Sequence, residues 1–181
     1  MVLTARMIKQ ANPDDRICFI GPCAAKKLEA SRRSVRSDVD FVLTFEELAG
    51  MFEAKEVDFS ALEASDDLQY GTADGRGFAV GGGVAQAVVN YIKDKYPDRE
   101  VKVASAQGLA DCKKMLMLAK AGKYNGYLLE GMGCPGGCIA GAGTLADPAR
   151  TATLLTKYKK DAPIQHSADS DFKDYGKLLH D

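Results

Sequence analysis

The sequence has no apolar run longer than a few residues, far short of the roughly 20 that cross a bilayer. It has no surplus of charge either: 24 basic residues face 25 acidic ones, a formal net charge of −1. With no basic stripe, nucleic acid is not an expected partner. An even set of cysteines is also missing. The five are Cys18, Cys23, Cys112, Cys134 and Cys138, and Met1-Val2-Leu3-Thr4 runs straight into an amphipathic segment with no signal-peptide pattern. A disulfide framework is therefore not expected, and the chain reads as a cytoplasmic protein away from membranes whose thiols serve packing, metal or redox chemistry. Its 181 residues, 46% apolar and 27% charged, suffice for one domain with a hydrophobic core and argue against disorder.

Periodicity predicts alternating helices and strands. Residues 2–11 read as a helix with Leu3, Met7, Ile8 and Ala11 on one face. Residues 17–20 read as a buried strand stopped by Gly21-Pro22, 24–33 as a helix, and Asp40 to Thr44 as a second buried strand. Thr44 and Glu47 form a capping box for a helix carrying Phe45, Leu48, Ala49 and Phe52. From Val57 to Gly83 the pattern breaks down into a long, ordered, glycine-rich loop. A helix over 84–96 with Val84, Val88 and Ile92 inward, a strand at 101–104, a helix over 109–120 and a strand over 124–132 follow. Asp147-Pro148 starts a last helix running to about Lys159. This order predicts an α/β fold with a mostly parallel sheet and flanking helices. Residues 1–160 would form the domain, and 161–181 a polar tail that wraps the surface or frays.

Two turns carry the chemistry. In Cys134-Pro135-Gly136-Gly137-Cys138 two thiols four residues apart can converge on one ion or cluster, while Gly136 and Gly137 let backbone N–H groups approach sulfur. A glycine-rich turn with incidental cysteines is the alternative. In Gly21-Pro22-Cys23-Ala-Ala-Lys26-Lys27-Leu28-Glu29 a cysteine sits at a strand-to-helix turn, with Lys26 one turn on to neutralise an anionic ligand. The alternative here is a packing cysteine and a solvated lysine. Cys112 falls on an apolar helical stripe and Cys18 inside a strand, so both read as packing residues. His166 and His180 read as solvated. Gly81-Gly82-Gly83-Val84-Ala85-Gln86 fails the dinucleotide fingerprint, and no Gly-Lys-Ser/Thr follows to make a phosphate loop. Three candidate thiolates fall short of the four that zinc or an iron–sulfur cluster takes.

At these motifs the sequence resembles the catalytic domain of iron-only hydrogenases. Gly21 to Glu29 matches the family's M/G-P-C-x-x-K-x-x-E, and Glu130 to Gly143 its E-x-M-x-C-x-G-G-C-x-x-G-x-G. Asp38 to Leu48 resembles D-V-D-x-V-L-T-x-x-E-L, and Phe78 to Ala87 resembles, with departures, F-G-x-T-G-G-V-x-E-A. The resemblance implies an H-cluster, a 4Fe–4S cube joined through one cysteine to a di-iron subcluster. Cys23, Cys134 and Cys138 would ligate the cube, Cys138 also bridging to the di-iron unit. Lys26 would pair with a cyanide ligand, Met132 would pack beside the di-iron unit, and Glu29 would hold the lysine or a nearby loop. The implied activity is reversible oxidation of hydrogen, with an electron carrier such as ferredoxin as partner.

The family's T-S-C-C-P motif has no counterpart here, so the chain resembles a fragment whose N-terminal part lies elsewhere. Gly21 stands where catalytic members have methionine, and Gly133, Ala142 and Thr144-Leu145 also depart from the pattern. Such departures resemble divergent branches that sense hydrogen. A hydrogen-sensing member, or an Fe–S assembly-type relative that kept only the cube, is the competing expectation. Cys23 and Cys134 are expected close together because their motifs end neighbouring strands.

Overall fold

Short apolar runs bounded by turn residues become strands, and the segments between them become helices, in the computed structural model, which describes residues 1–35, 38–63, 65 and 70–175. Contacts divide the chain into two units. One contains Met1–Ser65, Gly141–Leu145 and Asp171–Asp181, the other Asp66–Ala140 and Ala146–Ser170.

The first unit holds α1 (Val2–Ala11), β1 (Cys18–Ile20), α2 (Ala25–Ser31), β2 (Phe41–Leu43) and α3 (Phe45–Ala54). β1 and β2 pair in parallel, Cys18 opposite Phe41 and Ile20 opposite Leu43. The Asp38-Val39-Asp40 segment ties this unit together by alternation. Val39 points into the core with Ala5 and Val35, against Ile17, Phe19 and Val42. Asp38 accepts from Arg6 on α1 at 3.2 Å. The Asp40 carboxylate accepts from the Ile17 N–H at 2.8 Å and from Arg16 at 2.9 Å, and pairs with Lys9. The Ile17 backbone bond, then Arg16, then Lys9 hold its pKa down to about 2 against an opposing desolvation. The capping box forms as the sequence predicts: Thr44 Oγ1 accepts from Glu47 N–H, and the Glu47 carboxylate accepts from Thr44 N–H. Lys27 on α2 spans the Glu47 carboxylate at 2.8 Å and also donates to the Val42 carbonyl.

The second unit holds α4 (Ala73–Arg76), α5 (Gly83–Lys95), β3 (Lys102–Gln107), α6 (Leu109–Lys120), β4 (Tyr127–Met132) and α7 (Pro148–Lys160). β3 and β4 run parallel from Lys102 opposite Tyr127 to Gln107 opposite Met132. α6 packs on both strands and α5 on β4. Asp147 caps α7 by accepting from Arg150 N–H, with Pro148 at the first helical position. Alanine predominates among the buried apolar side chains: Ala73, Ala85, Ala87, Ala106 and Ala162 here, and Ala5 in the first unit.

Several expectations are corrected. The strands form two separate two-stranded parallel sheets, so the α/β class with parallel strands and flanking helices holds while a single larger sheet does not. β1 and β2 are not buried. Cys18 is exposed and Phe41 is 60% exposed, because a two-stranded sheet leaves part of its surface uncovered. On α1 the buried residue is Ala5, while Ile8 is exposed. On α5 the buried residues are Ala85, Ala87 and Val89 rather than Val84, Val88 and Ile92; small side chains let the helix backbone sit closer than a valine stripe would. Cys112 is half-buried, and its single thiol proton has the Ala106 carbonyl at 3.5 Å and the Met132 carbonyl at 3.6 Å as acceptors. The 57–83 segment is not loop throughout: Phe59–Ala61, α4 and Gly77–Ala79 are helical turns, and 64 and 66–69 lie outside the described residues. Among the described residues no helix is long and apolar enough to cross a membrane.

The segment after α7 is docked within its unit. Ala73 N–H donates to the Ile164 carbonyl at 2.8 Å and Asp74 N–H to that of Gln165 at 3.2 Å. The buried Asp74 carboxylate accepts from Ser167 N–H at 2.9 Å and from Asn90 at 2.7 Å. Arg76 donates to the carbonyls of Gly71 and Tyr158 and lies 3.9 Å over the Tyr158 ring. His166 is not simply solvated: its Nδ1 is 2.7 Å from Asp94, and that bond and the Asp94 charge, with lesser help from Asp74 and Asp169, raise its pKa above the usual 6.5 against an opposing desolvation. His180 lies outside the described residues. A raised histidine pKa stabilises the fold fully below the unfolded value and stops doing so as pH climbs through the folded value. Asp94→Asn is therefore expected to lower Tm at pH 5.5 and to have a smaller effect at pH 9, measured by thermal melts across that range.

Candidate functional site

The Cys134–Cys138 loop is built by the end of β4 and the turns that receive it. Pro135 at the second position, Gly136 at φ +92° in the third, and a Gly137 N–H to Cys134 carbonyl bond of 3.0 Å make a type II turn. Gly137 is also left-handed, at φ +90°, and is buried. A Cβ there would lie 2.6 Å from the Ala79 carbonyl oxygen and the Gly81 nitrogen, so no other residue fits without moving the backbone. Gly81 N–H in turn donates to the Gly136 carbonyl at 3.4 Å. From the end of β3, the Gln107 side-chain oxygen accepts from Gly136 N–H at 2.6 Å. Cys138 opens the turn Cys138–Ala140, anchored by the buried Ile139. Cys134 and Cys138 are both half-buried and are not joined in a disulfide.

Glu130 positions the glycine run that this loop rests on. It is 7% exposed in a strand otherwise of apolar and small residues, and its two oxygens accept from Gly82 N–H at 2.6 Å and Ala85 N–H at 2.9 Å. Those N–H groups belong to the start of α5, where no intrahelical acceptor exists and a carboxylate is favoured by the helix dipole. Gly82 takes φ +88° to turn the chain into that helix. Met132, at the end of β4, lines with Val84, Val88 and Leu128 an open cleft of about 210 Å³.

In the first unit, β1 delivers Gly21-Pro22-Cys23 to α2. Gly21 N–H donates to the Leu43 carbonyl at 3.0 Å, extending the parallel ladder, and Cys23 is half-buried. The Lys26 ammonium contacts the Glu29 carboxylate one turn on, both about one-third exposed. The tail of the second motif returns here. Gly143 N–H donates to the Pro22 carbonyl at 3.2 Å, and a Cβ on Gly143 would lie 2.5 Å from the Thr44 Cβ. Three motif segments thus meet at Pro22, Thr44 and Gly143.

Cys23, Lys26 and Glu29 therefore belong to one unit, and Met132, Cys134, Gly136, Gly137 and Cys138 to the other. The expectation that the motifs end neighbouring strands is not met: β1 pairs with β2 and β4 with β3. Among the described residues no group of three or more His, Cys, Asp or Glu side chains is placed to hold a metal ion. In kind, the donors suit an iron–sulfur group: soft thiols carried on turns, with Gly136 and Gly137 between Cys134 and Cys138. In number they supply three of the four cysteines such a cube takes. Glu130 as a helix cap, Gln107, Thr44 against Gly143, and the buried Asp74 and Arg76 were not singled out from sequence. A lone carboxylate inside Tyr127–Met132 was the available signal for the first.

The family model described as Iron only hydrogenase large subunit, C-terminal domain, matches residues 1–142. The chain belongs to that family. It is 32% identical over 175 residues to the periplasmic Fe hydrogenase large subunit of Nitratidesulfovibrio vulgaris, covering 75% of this chain and 42% of that protein. Against the NADP-reducing hydrogenase subunit HndD of Solidesulfovibrio fructosivorans it is 32% identical over 160 residues, 70% of this chain and 27% of that one. It is also 28% identical over 175 residues to cytosolic iron-sulfur assembly component 3 of Pongo abelii, 76% of this chain and 37% of that protein. The chain thus spans less than half the length of each of these relatives. A variant of the FeFe-hydrogenase HydA1 from Chlamydomonas reinhardtii superimposes with a TM-score of 0.63 at 18% identity, over 99% of this chain and 62% of that one. That match shows a shared fold.

Two substitutions test this geometry. Glu130→Ala leaves two backbone N–H groups at the α5 start unpaired and is expected to cost about 2–3 kcal/mol in chemical denaturation. Gly143→Ala forces Thr44 aside and is expected to cost about 1–3 kcal/mol, with Thr44→Ser in the same chain recovering part of the loss.

Proposed function

We propose that this chain is the cluster-binding part of an iron-only hydrogenase, in which Cys23, Cys134 and Cys138 hold a 4Fe–4S cube and Cys138 also bridges to a di-iron subcluster. When bound, that H-cluster supplies the redox centre at which hydrogen interconverts with protons and electrons. The chain's own residues bind, orient and shield. The Pro135-Gly136 turn presents two thiols from one short loop, and the buried Gly137 seats that loop on the Ala79–Gly81 backbone. Lys26 brings a positive charge beside an anionic group, with Glu29 holding the ammonium until a stronger anion competes. Met132 adds a polarisable apolar surface at the end of β4. The observation that carries this reading is the Gly143 to Pro22 hydrogen bond, which fastens the tail of the Cys134–Cys138 motif to the residue before Cys23.

The fourth cube ligand and the electron path, to a carrier such as ferredoxin, are assigned to the additional length that the relatives have. A cytoplasmic location goes with the reading, although the relatives' names include both periplasmic and cytosolic proteins. A second reading is an Fe–S assembly-type or hydrogen-sensing relative that binds a cluster without rapid turnover. The similarity to the cytosolic assembly component favours it, and Lys26, a motif cation that a cube-only relative would not need, favours the first.

Anaerobic reconstitution with iron and sulfide, with both counted and the electron paramagnetic resonance spectrum recorded, tests the ligand set. A stoichiometric cube is expected, lost in Cys23→Ser and in Cys134→Ser and retained in Cys112→Ser. No cluster even in the longer protein that restores the missing ligand would sink the hydrogenase-type site. Hydrogen evolution from a reduced dye by that longer, matured protein separates the first reading from the second.

A further inference from the structure

We infer that Gln107 is a positioning residue for the Cys134–Cys138 loop, setting through its side-chain amide the backbone from which both thiols project. This rests on the ligand reading above for its consequence, but its geometry stands on its own. Gln107 is the last residue of β3 and lies opposite Met132, so its side chain leaves the sheet at the level where β4 runs into the cysteine loop. Its oxygen accepts from Gly136 N–H at 2.6 Å. Its amide lies against Gly81, so closely that even a methyl group at Gly81 would collide with it. Gly81 N–H donates to the Gly136 carbonyl, so both faces of the Gly136 peptide pair are held, one by Gln107 and one by the glycine run. On the other side Pro135 packs against the position a Cβ would take on Gly108, the residue after Gln107, at 3.6 Å.

A type II turn constrains only its own four residues. Its orientation over the sheet needs an external contact, and among the described hydrogen bonds the side-chain contact to this turn comes from Gln107. The amide also suits the task chemically. It is neutral, so it adds no charge beside thiolates, and its acceptor is consumed by the backbone N–H. Its N–H₂ end lies against Gly81. A glutamate would keep the acceptor but add a negative charge; a leucine would keep the bulk and lose the bond.

Amide hydrogen exchange on the metal-free chain tests the positioning directly. In Gln107→Leu the Gly136 amide is expected to exchange roughly fivefold faster, the loss of one net hydrogen bond, while the Gly82 and Ala85 amides held by Glu130 keep their wild-type rates. In Gln107→Glu, Gly136 is expected to stay protected. The iodoacetamide labelling rates of Cys134 and Cys138 should shift in Gln107→Leu, where the loop loses its contact without any change of charge. Unchanged Gly136 exchange in Gln107→Leu would overturn the proposal. So would a rise spread equally over Gly82 and Ala85, which would mark general loosening, or a glutamate variant no better protected than leucine. In reconstituted protein, Gln107→Glu should bind iron in wild-type amount with a more negative midpoint potential. If even the longer protein that restores the fourth ligand takes up no cluster, the ligand reading fails, and the exchange result still decides the role of Gln107.

Discussion

A carboxylate buried in a strand must find donors, and Glu130 finds them in the first N–H groups of a helix. That pairing fixes more than a helix end. It sets where Gly81-Gly82-Gly83 lies relative to β4, and the cysteine loop is seated on this glycine run: Gly137 against the backbone of Ala79 and Gly81, Gly136 bonded to Gly81. The first letter of the sequence motif is thus a structural device acting at a distance of several residues from the thiols. Its carboxylate is satisfied entirely by the chain itself, which separates it from the residues that face a ligand.

The first unit solves a comparable problem with ions. Its core of Ala5, Val35 and Val39 is small, and its two-stranded sheet buries little. Asp38 and Asp40 compensate by anchoring α1, the start of β1 and the start of β2 to one another, and Lys27 brackets α2 to the capping box of α3. Surface ion pairs are individually weak. Asp40 differs because a backbone N–H and two cations converge on it, which is why its carboxyl stays ionised to about pH 2. The D-V-D segment, read from sequence as a family mark, is in physical terms a clamp.

Much of this was legible beforehand because local rules sufficed. The Thr44–Glu47 box, the Asp147-Pro148 helix start, the helix over 109–120 and the parallel strands each follow from a few adjacent residues. What was not legible depended on partners distant in sequence. Apolar runs at 17–20 and 40–44 look buried by composition, yet Cys18 and Phe41 are exposed because sheet width is a tertiary property. The inward face of α5 was misjudged because valine outranks alanine in any hydrophobicity argument, whereas close backbone approach selects alanine. Both thiol motifs could be named from their spacing. Their partition between units, and the roles of Gln107 and Asp74, could not, since a single glutamine or aspartate carries no pattern.

The alanine-rich interior has a consequence for how this protein tolerates change. Where cores are filled by leucine and phenylalanine, truncation opens cavities and is the sensitive probe. Here Ala73, Ala85, Ala87, Ala106 and Ala162 have almost nothing to truncate, and each is almost wholly buried. Damage would come from enlargement, where an added methyl or isopropyl group has no space to enter without moving a strand or helix. A mutational scan that only removes atoms would report a permissive interior, and one that adds them would find its limits.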